Sequence, residues 1–169
     1  MLTNFQLIDI ARAMKFPLEK VCFKDELSDE PLKYNTVYII NSQNSETEEG
    51  ADNDGAHWVA LYVDKNKDGK IFPQYFDSYG SPPAQEVTDF VGRYVPYSTK
   101  DVQSVMDSVC GFYCCAFGFF VSKSKYRTGN IYHDTETFLD LFNDLNKSHD
   151  FKQNEWVLQR FFSTNSVKK

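Results

Sequence analysis

Gln103-Ser-Val-Met-Asp-Ser-Val-Cys110-Gly111-Phe-Tyr-Cys114-Cys115-Ala-Phe-Gly-Phe-Phe120 joins a polar approach to an apolar run of helical length. From Cys110 to about Ser122 the residues are small or aromatic with no charge among them, which predicts a buried helix. Cys110 then falls in the first turn. The N-terminus of a helix carries partial positive charge and favours the thiolate, the form of cysteine that attacks carbonyl carbon. Cys110 is therefore a candidate nucleophile, whereas Cys114 and Cys115 lie deeper in the run and read as small core hydrophobes.

A thiol nucleophile needs a base, and the histidine in an ordered hydrophobic context is His57, in Gly55-Ala-His57-Trp58-Val-Ala-Leu-Tyr-Val63. His57 to Val63 and Ile71 to Tyr79 read as strands, joined by Asp64-Lys-Asn66-Lys-Asp68-Gly69-Lys70. The joint has the Asp64, Asn66 and Asp68 oxygens of a calcium loop but carries Tyr75 where the final acidic ligand belongs. A hairpin turn is the expectation there, with no metal. Such a hairpin sets its two outer ends side by side, and Asp77 closes the second strand as His57 opens the first. A carboxylate beside the imidazole fixes its tautomer and favours imidazolium, leaving the second ring nitrogen for the thiol. Gln103 offers a side-chain N–H to a developing oxyanion, and the backbone N–H of Cys110 offers another. Gly111 is expected to leave room for a substrate backbone and Trp58 to pack over the site, its backbone helping to shape it, so both are candidate substrate-binding residues.

Elsewhere, Thr3 or Asn4 can cap a helix through about Met14, with Phe5, Ile8, Ala11 and Arg12 beside Leu7, Ile10 and Met14 in its amphipathic pattern. Val21 to Leu27 reads as irregular, Asn35 to Asn41 as a strand, and Glu86 to Arg93 as a helix after the Gly80-Ser-Pro-Pro83 break. Residues 42–54 hold Glu46, Glu48, Glu49, Asp52 and Asp54 with no basic residue and predict an exposed, mobile loop. An extended piece is expected over Asp101 to Val105, a helix over Thr135 to Asn146, a shorter one over Asn154 to Phe162, and a polar tail over 163–169.

With 169 residues, 41% of them hydrophobic, the chain suits one domain with a substantial core. A formal charge of −6 argues against a broad basic surface for nucleic acid. The four cysteines, Cys22, Cys110, Cys114 and Cys115, do not form a disulfide framework, and a reduced, intracellular setting is expected. No signal peptide and no membrane-spanning run is read, and His133, His149 and Cys22 stand apart, so neither a structural zinc nor any cofactor is expected.

The order His57, Asp77, Gln103, Cys110 resembles the adenain-like (adenovirus protease-like) cysteine proteases, whose clan includes the ubiquitin-like-protein-specific proteases. Two motifs carry the resemblance: Gly55-Ala-His57-Trp58, and Ser108-Val-Cys110-Gly111-Phe-Tyr-Cys114-Cys115-Ala-Phe with its double cysteine. The step from Gln103 to Cys110 matches as well. Phe76-Asp77-Ser-Tyr-Gly80-Ser-Pro-Pro83 is similar to versions in virophages, Maverick/Polinton elements and large DNA viruses. The resemblance spans roughly residues 55–120. It implies an α+β fold with a central mixed sheet against the nucleophile-bearing helix. It also implies an endopeptidase that cleaves capsid and other virion precursors, after glycine in a small-residue motif, during particle maturation. The implied setting is the host cytoplasm or virus factory and the virion, and the implied state a monomer. Adenain uses DNA and a viral peptide as activators; this chain is acidic where adenain is basic, so DNA activation is not carried over, and a small activating peptide is left open. Adenain has Glu where this chain has Asp77, as do the cellular relatives. Two rival functions are a deconjugating isopeptidase for ubiquitin-like proteins and an inactive interaction module on the same fold.

Overall fold

The computed structural model describes residues 1–104 and 108–165. The fold is α+β, with a four-stranded mixed sheet packed against helices. Helix α1 (Asn4–Met14) is followed by β1 (Leu18–Phe23), a 3-10 helix (Lys24–Asp29), β2 (Val37–Asn41), β3 (Trp58–Lys65), β4 (Ile71–Phe76), α2 (Gln85–Val91), α3 (Cys110–Lys123), α4 (Ile131–Leu139) and α5 (Phe151–Asn165). The strands lie in chain order; β1 and β2 run parallel, while β2–β3 and β3–β4 are antiparallel.

Alternation along the strands supplies both faces of the sheet. Val37, Ile39, Trp58, Ala60, Tyr62 and Phe76 face one hydrophobic layer with α1, α3, α4 and α5, whereas Tyr38, Ile40, Val59, Leu61, Val63 and Tyr75 face a second with Leu27, Val87 and Val91. Burial on both sides explains why β2 is buried at every position instead of alternating with polar residues. The phenylalanine-rich composition is spent in the first layer, where Phe138 meets the rings of Phe76, Phe117, Phe120, Phe142 and Phe161. Each such pair contributes about 0.5–1.5 kcal/mol beyond its buried area.

Local chemistry sets several boundaries. Thr3 and Gln6 form a reciprocal capping box at the start of α1, and Lys15 closes it in the left-handed region. The buried side of α1 is Leu7, Ala11 and Met14, while Phe5 is 73% exposed and Ile8 also points outward, so the amphipathic stripe is narrower than the sequence pattern suggests. The segment expected to be irregular at Val21 to Leu27 is a strand ending at Phe23 and then a 3-10 helix. Its mixed Leu-Glu-Lys-Val-Cys-Phe sequence has little strand signal of its own, and parallel pairing with β2 makes it one. The helix expected over Thr135–Asn146 begins four residues earlier, where Asn130 Oδ1 accepts from the N–H groups of Tyr132 and His133, and it ends at Leu139. Beyond that point the backbone leaves the helical pattern: the N–H of Leu145 donates to Asp101 O and that of Asn143 to Asn154 Oδ1. Residues 101–104 form no strand, and Val105, the end of the expected extended piece, lies outside the described residues, as do 166–169 of the expected tail. The remainder of that tail, 163–165, belongs to α5.

The Asp64–Lys70 joint is a hairpin turn in which Asn66 Oδ1 accepts from the N–H groups of Asp68 and Lys70. The acidic loop before His57 is largely exposed but carries its own short antiparallel bridge, Glu46 with Asp52, and is tied to the 3-10 helix through Ser45 and Asp25. Buried Asn41 holds both ends of that loop, its Oδ1 accepting from the N–H groups of Gln43 and Ala56. Gly55 passes this side chain at φ +86°, and a Cβ there would stand 2.4 Å from Asn41 Nδ2. No helix among the described residues is long and apolar enough to cross a membrane.

Candidate active site

His57 lies one residue before β3 and Asp77 one residue after β4, so the hairpin delivers both to one end of the sheet. The register pairs Ala60 with Phe76; carried outward, it sets His57 opposite Tyr79 and diagonal to Asp77. His57 Nε2 is 2.7 Å from Asp77 Oδ1. The side chains of His57 and Asp77 are 13% and 6% exposed, so the pair is shielded from water. The Tyr79 N–H donates to the same carboxylate oxygen at 2.8 Å. The Tyr79 ring lies on the imidazole, with centroids 4.4 Å apart and planes 16° from parallel. A ring against one face and an acid at its edge leave the imidazole little rotational freedom.

Cys110 is the first residue of α3, whose apolar body lies against β3. No side chain caps this helix at Val109. The thiol is 3.4 Å from the Trp58 N–H, which donates to it. His57 and the Gly111 N–H also act on the thiol, both favouring its ionised form. Because Nε2 of His57 is engaged by Asp77, Nδ1 is the ring nitrogen left for the sulfur.

Burial pushes the Cys110 thiol up, but the hydrogen bond from His57, the Trp58 and Gly111 N–H groups and the imidazolium charge outweigh it, so the thiol sits below its ordinary value. Burial likewise works against charge on His57, yet its hydrogen bonds to Asp77 and Cys110 and their negative charges push it up to about 9. The two shifts run in the directions that favour a thiolate–imidazolium pair. The other cysteines move the opposite way. Burial pushes Cys22 up to about 12, Cys115 up to about 12, and Cys114 well above the usual thiol range. Iodoacetamide at pH 7 is therefore expected to add one carbamidomethyl group, at Cys110, with a rate half-maximal below the free-thiol value of about 8.5. Peptide mapping by mass spectrometry checks this, and labelling spread over Cys22, Cys114 and Cys115 would contradict it.

The fourth candidate, Gln103, is 2% exposed and is packed beside the residue following Asp77. The Ser78 hydroxyl donates to Gln103 Oε1 at 2.5 Å, and the Ser78 carbonyl accepts the N–H groups of Val102 and Gln103 at 2.8 and 3.2 Å. Gly80, at φ +75°, lets the chain pass so closely that a Cβ would stand 2.4 Å from Thr99 O. That contact lays the 99–103 segment against the Asp77 turn.

The Trp58 ring and the space beside Gly111 are placed differently from the expectation, whereas the Trp58 backbone, expected to help shape the site, does face it. The Trp58 ring is buried among core residues, with its indole N–H donating to Leu2 O at 2.9 Å, and it is the Trp58 backbone that faces the sulfur. The side of Gly111 where a Cβ would stand faces Leu2 Cδ1 at 3.0 Å and Leu7 Cδ2 at 3.1 Å, so the space that glycine leaves is occupied by the N-terminal segment. Residue types gave no sign of Ser78, Asn41 or Leu2. Tyr79 did have a signal, since a hairpin centred on Asp68 pairs it with His57. Among the described residues, no group of three or more His, Cys, Asp or Glu side chains could hold a metal ion. No family model matches the chain, and no curated protein matches it.

Proposed function

We propose that this chain is a cysteine endopeptidase with Cys110 as nucleophile, His57 as general acid and base, Asp77 as its orienter and Gln103 as an oxyanion donor. The observation that carries the reading is the grouping at one end of the sheet of His57, whose Nε2 lies 2.7 Å from Asp77, with the Cys110 thiol, which accepts from the Trp58 N–H at 3.4 Å and is shifted downward by His57. The sulfur attacks the scissile carbonyl carbon and the carbonyl electrons move to oxygen, to which the Gln103 amide N–H and the Cys110 N–H donate hydrogen bonds. Collapse of that intermediate breaks the C–N bond as the His57 imidazolium gives its proton to the leaving nitrogen. Water then attacks the thioester, losing a proton to His57, and the thiolate departs with the carboxylic acid as product.

The fold proposed is that of the adenain and ubiquitin-like-protein protease clan, and the substrates proposed are capsid and other virion precursors, cut after glycine in the virus factory or virion. Support for this narrower reading is the resemblance of the His57-Trp58 and Cys110-to-Phe117 motifs, together with a sheet-and-helix arrangement compatible with it. Incubating the protein with cognate capsid precursors and sequencing the new termini by mass spectrometry tests it. Cuts following glycine support the reading. Intact precursors, together with release of coumarin from ubiquitin-like conjugates, would move the function to deconjugation.

A further inference from the structure

We infer that Tyr79 is a positioning residue that acts on the proposed reaction through the face of its ring, keeping His57 in line with Asp77 and favouring its protonated form. The inference rests on the reading of His57 as general acid and base. The Tyr79 ring covers one face of the imidazole, with centroids 4.4 Å apart and planes 16° from parallel. Both imidazole nitrogens lie in the ring plane, so a contact on the face obstructs neither of them. Nε2 stays with Asp77 Oδ1 at 2.7 Å, and Nδ1 is left for the thiol. The face of an aromatic ring is negative and attracts a cation placed over it, the more so where water is excluded. The His57 side chain is 13% exposed, so its imidazolium meets that face with little competing water. Neutral imidazole gains much less from the same contact. Stacking therefore favours the form that carries the proton for the leaving nitrogen.

Charged groups act on His57 from two elements, Asp77 after β4 and Cys110 on α3, and Tyr79 adds a neutral ring face to them. The main chain of Tyr79 has a separate task. Its N–H donates at 2.8 Å to Asp77 Oδ1, the same oxygen that holds His57 Nε2. A side-chain substitution keeps that N–H, so Asp77 stays oriented and the ring alone is removed. The close passage of Gly80 beside Thr99 is likewise a property of the main chain.

The test follows the His57 ring of the full chain by NMR titration, assigned among the three histidines with His57→Ala. In parallel, kcat and KM are measured on a capped peptide ending in Gly-Gly with a coumarin amide as leaving group. Tyr79→Leu is expected to move the His57 midpoint toward acid by about 0.5–1 pH unit, and the alkaline limb of kcat with it. At the pH optimum kcat should fall about three- to tenfold with KM within about twofold. Tyr79→Phe, which keeps the ring face and loses the hydroxyl, should hold the midpoint within about 0.2 unit of wild type. If Tyr79→Leu does not fold, Tyr79→Met, a flexible side chain without an aromatic face, carries the same expectation. An unchanged midpoint in the Leu or Met variant, or a Phe variant shifted as far as they are, overturns the inference. A wild-type chain that cuts no peptide overturns the peptidase reading and any catalytic role of Tyr79 with it, an outcome distinguished by a midpoint shift that persists.

Discussion

Cys110→Ala is expected to leave no measurable cleavage of a glycine-containing precursor peptide, a loss on the order of 10⁶-fold in kcat, because no other group can take the place of a deleted nucleophile. The fold should survive. Cys110 opens α3 instead of occupying its middle, and the alanine keeps the helical backbone while removing a single sulfur. That sulfur accepts a hydrogen bond from the Trp58 N–H, so the variant leaves this donor facing a small void, a cost of a few kcal/mol at most. Circular dichroism and thermal unfolding should therefore resemble wild type while activity vanishes. Residual cleavage within a hundredfold of wild type would assign the chemistry elsewhere.

Asp77→Asn is the second large effect. Asp77 fixes the imidazole through Nε2 and stabilises its charge, and its amide counterpart at the same place can do neither; a loss of about 10⁴-fold in kcat is expected. The pH profile gives the more specific signature. In the wild-type protein, His57 holds its proton up to about 9, so the alkaline limb, where the leaving nitrogen can no longer be protonated, is expected near pH 9. The acid limb reports protonation of the thiolate and should fall below the ordinary thiol range, because Cys110 is shifted downward. Removing the Asp77 charge takes away an influence that raises His57 while its burial, which lowers it, remains, so the alkaline limb should move toward acid. The two limbs belong to the coupled Cys110–His57 pair and should narrow together. A profile of unchanged shape in Asp77→Asn would mean that the carboxylate does not act through His57.

Legibility of the molecule from its sequence follows the range over which each feature is encoded. α1 and the β3–β4 hairpin were readable because their signals are local: a Thr3–Gln6 box and an Asn66 to Gly69 turn between β-branched runs. The same turn places His57 near Asp77. β1 was not readable, because its strand character comes from pairing with β2 nineteen residues on, and the end of α4 was not, because Asp101 and Asn154 compete for its backbone. At the site, residue type pointed to Cys110, His57, Asp77 and Gln103. It misplaced the surroundings of Trp58 and Gly111, since whether a glycine's space serves a ligand or a neighbouring helix is decided by the segment that arrives there, here Leu2 and Leu7.

The hydrogen bond from Asn154 to the Val102 carbonyl spans 52 residues and closes over the segment that carries Gln103. During synthesis the nucleophile, its base and its acid have all left the ribosome long before residue 154 does. Until α5 docks, the 99–103 segment lacks one of its anchors, so the growing chain carries thiol and imidazole without a finished oxyanion site. On the proposed function, this sets a delay between appearance of the nucleophile and onset of hydrolysis, timed by translation itself.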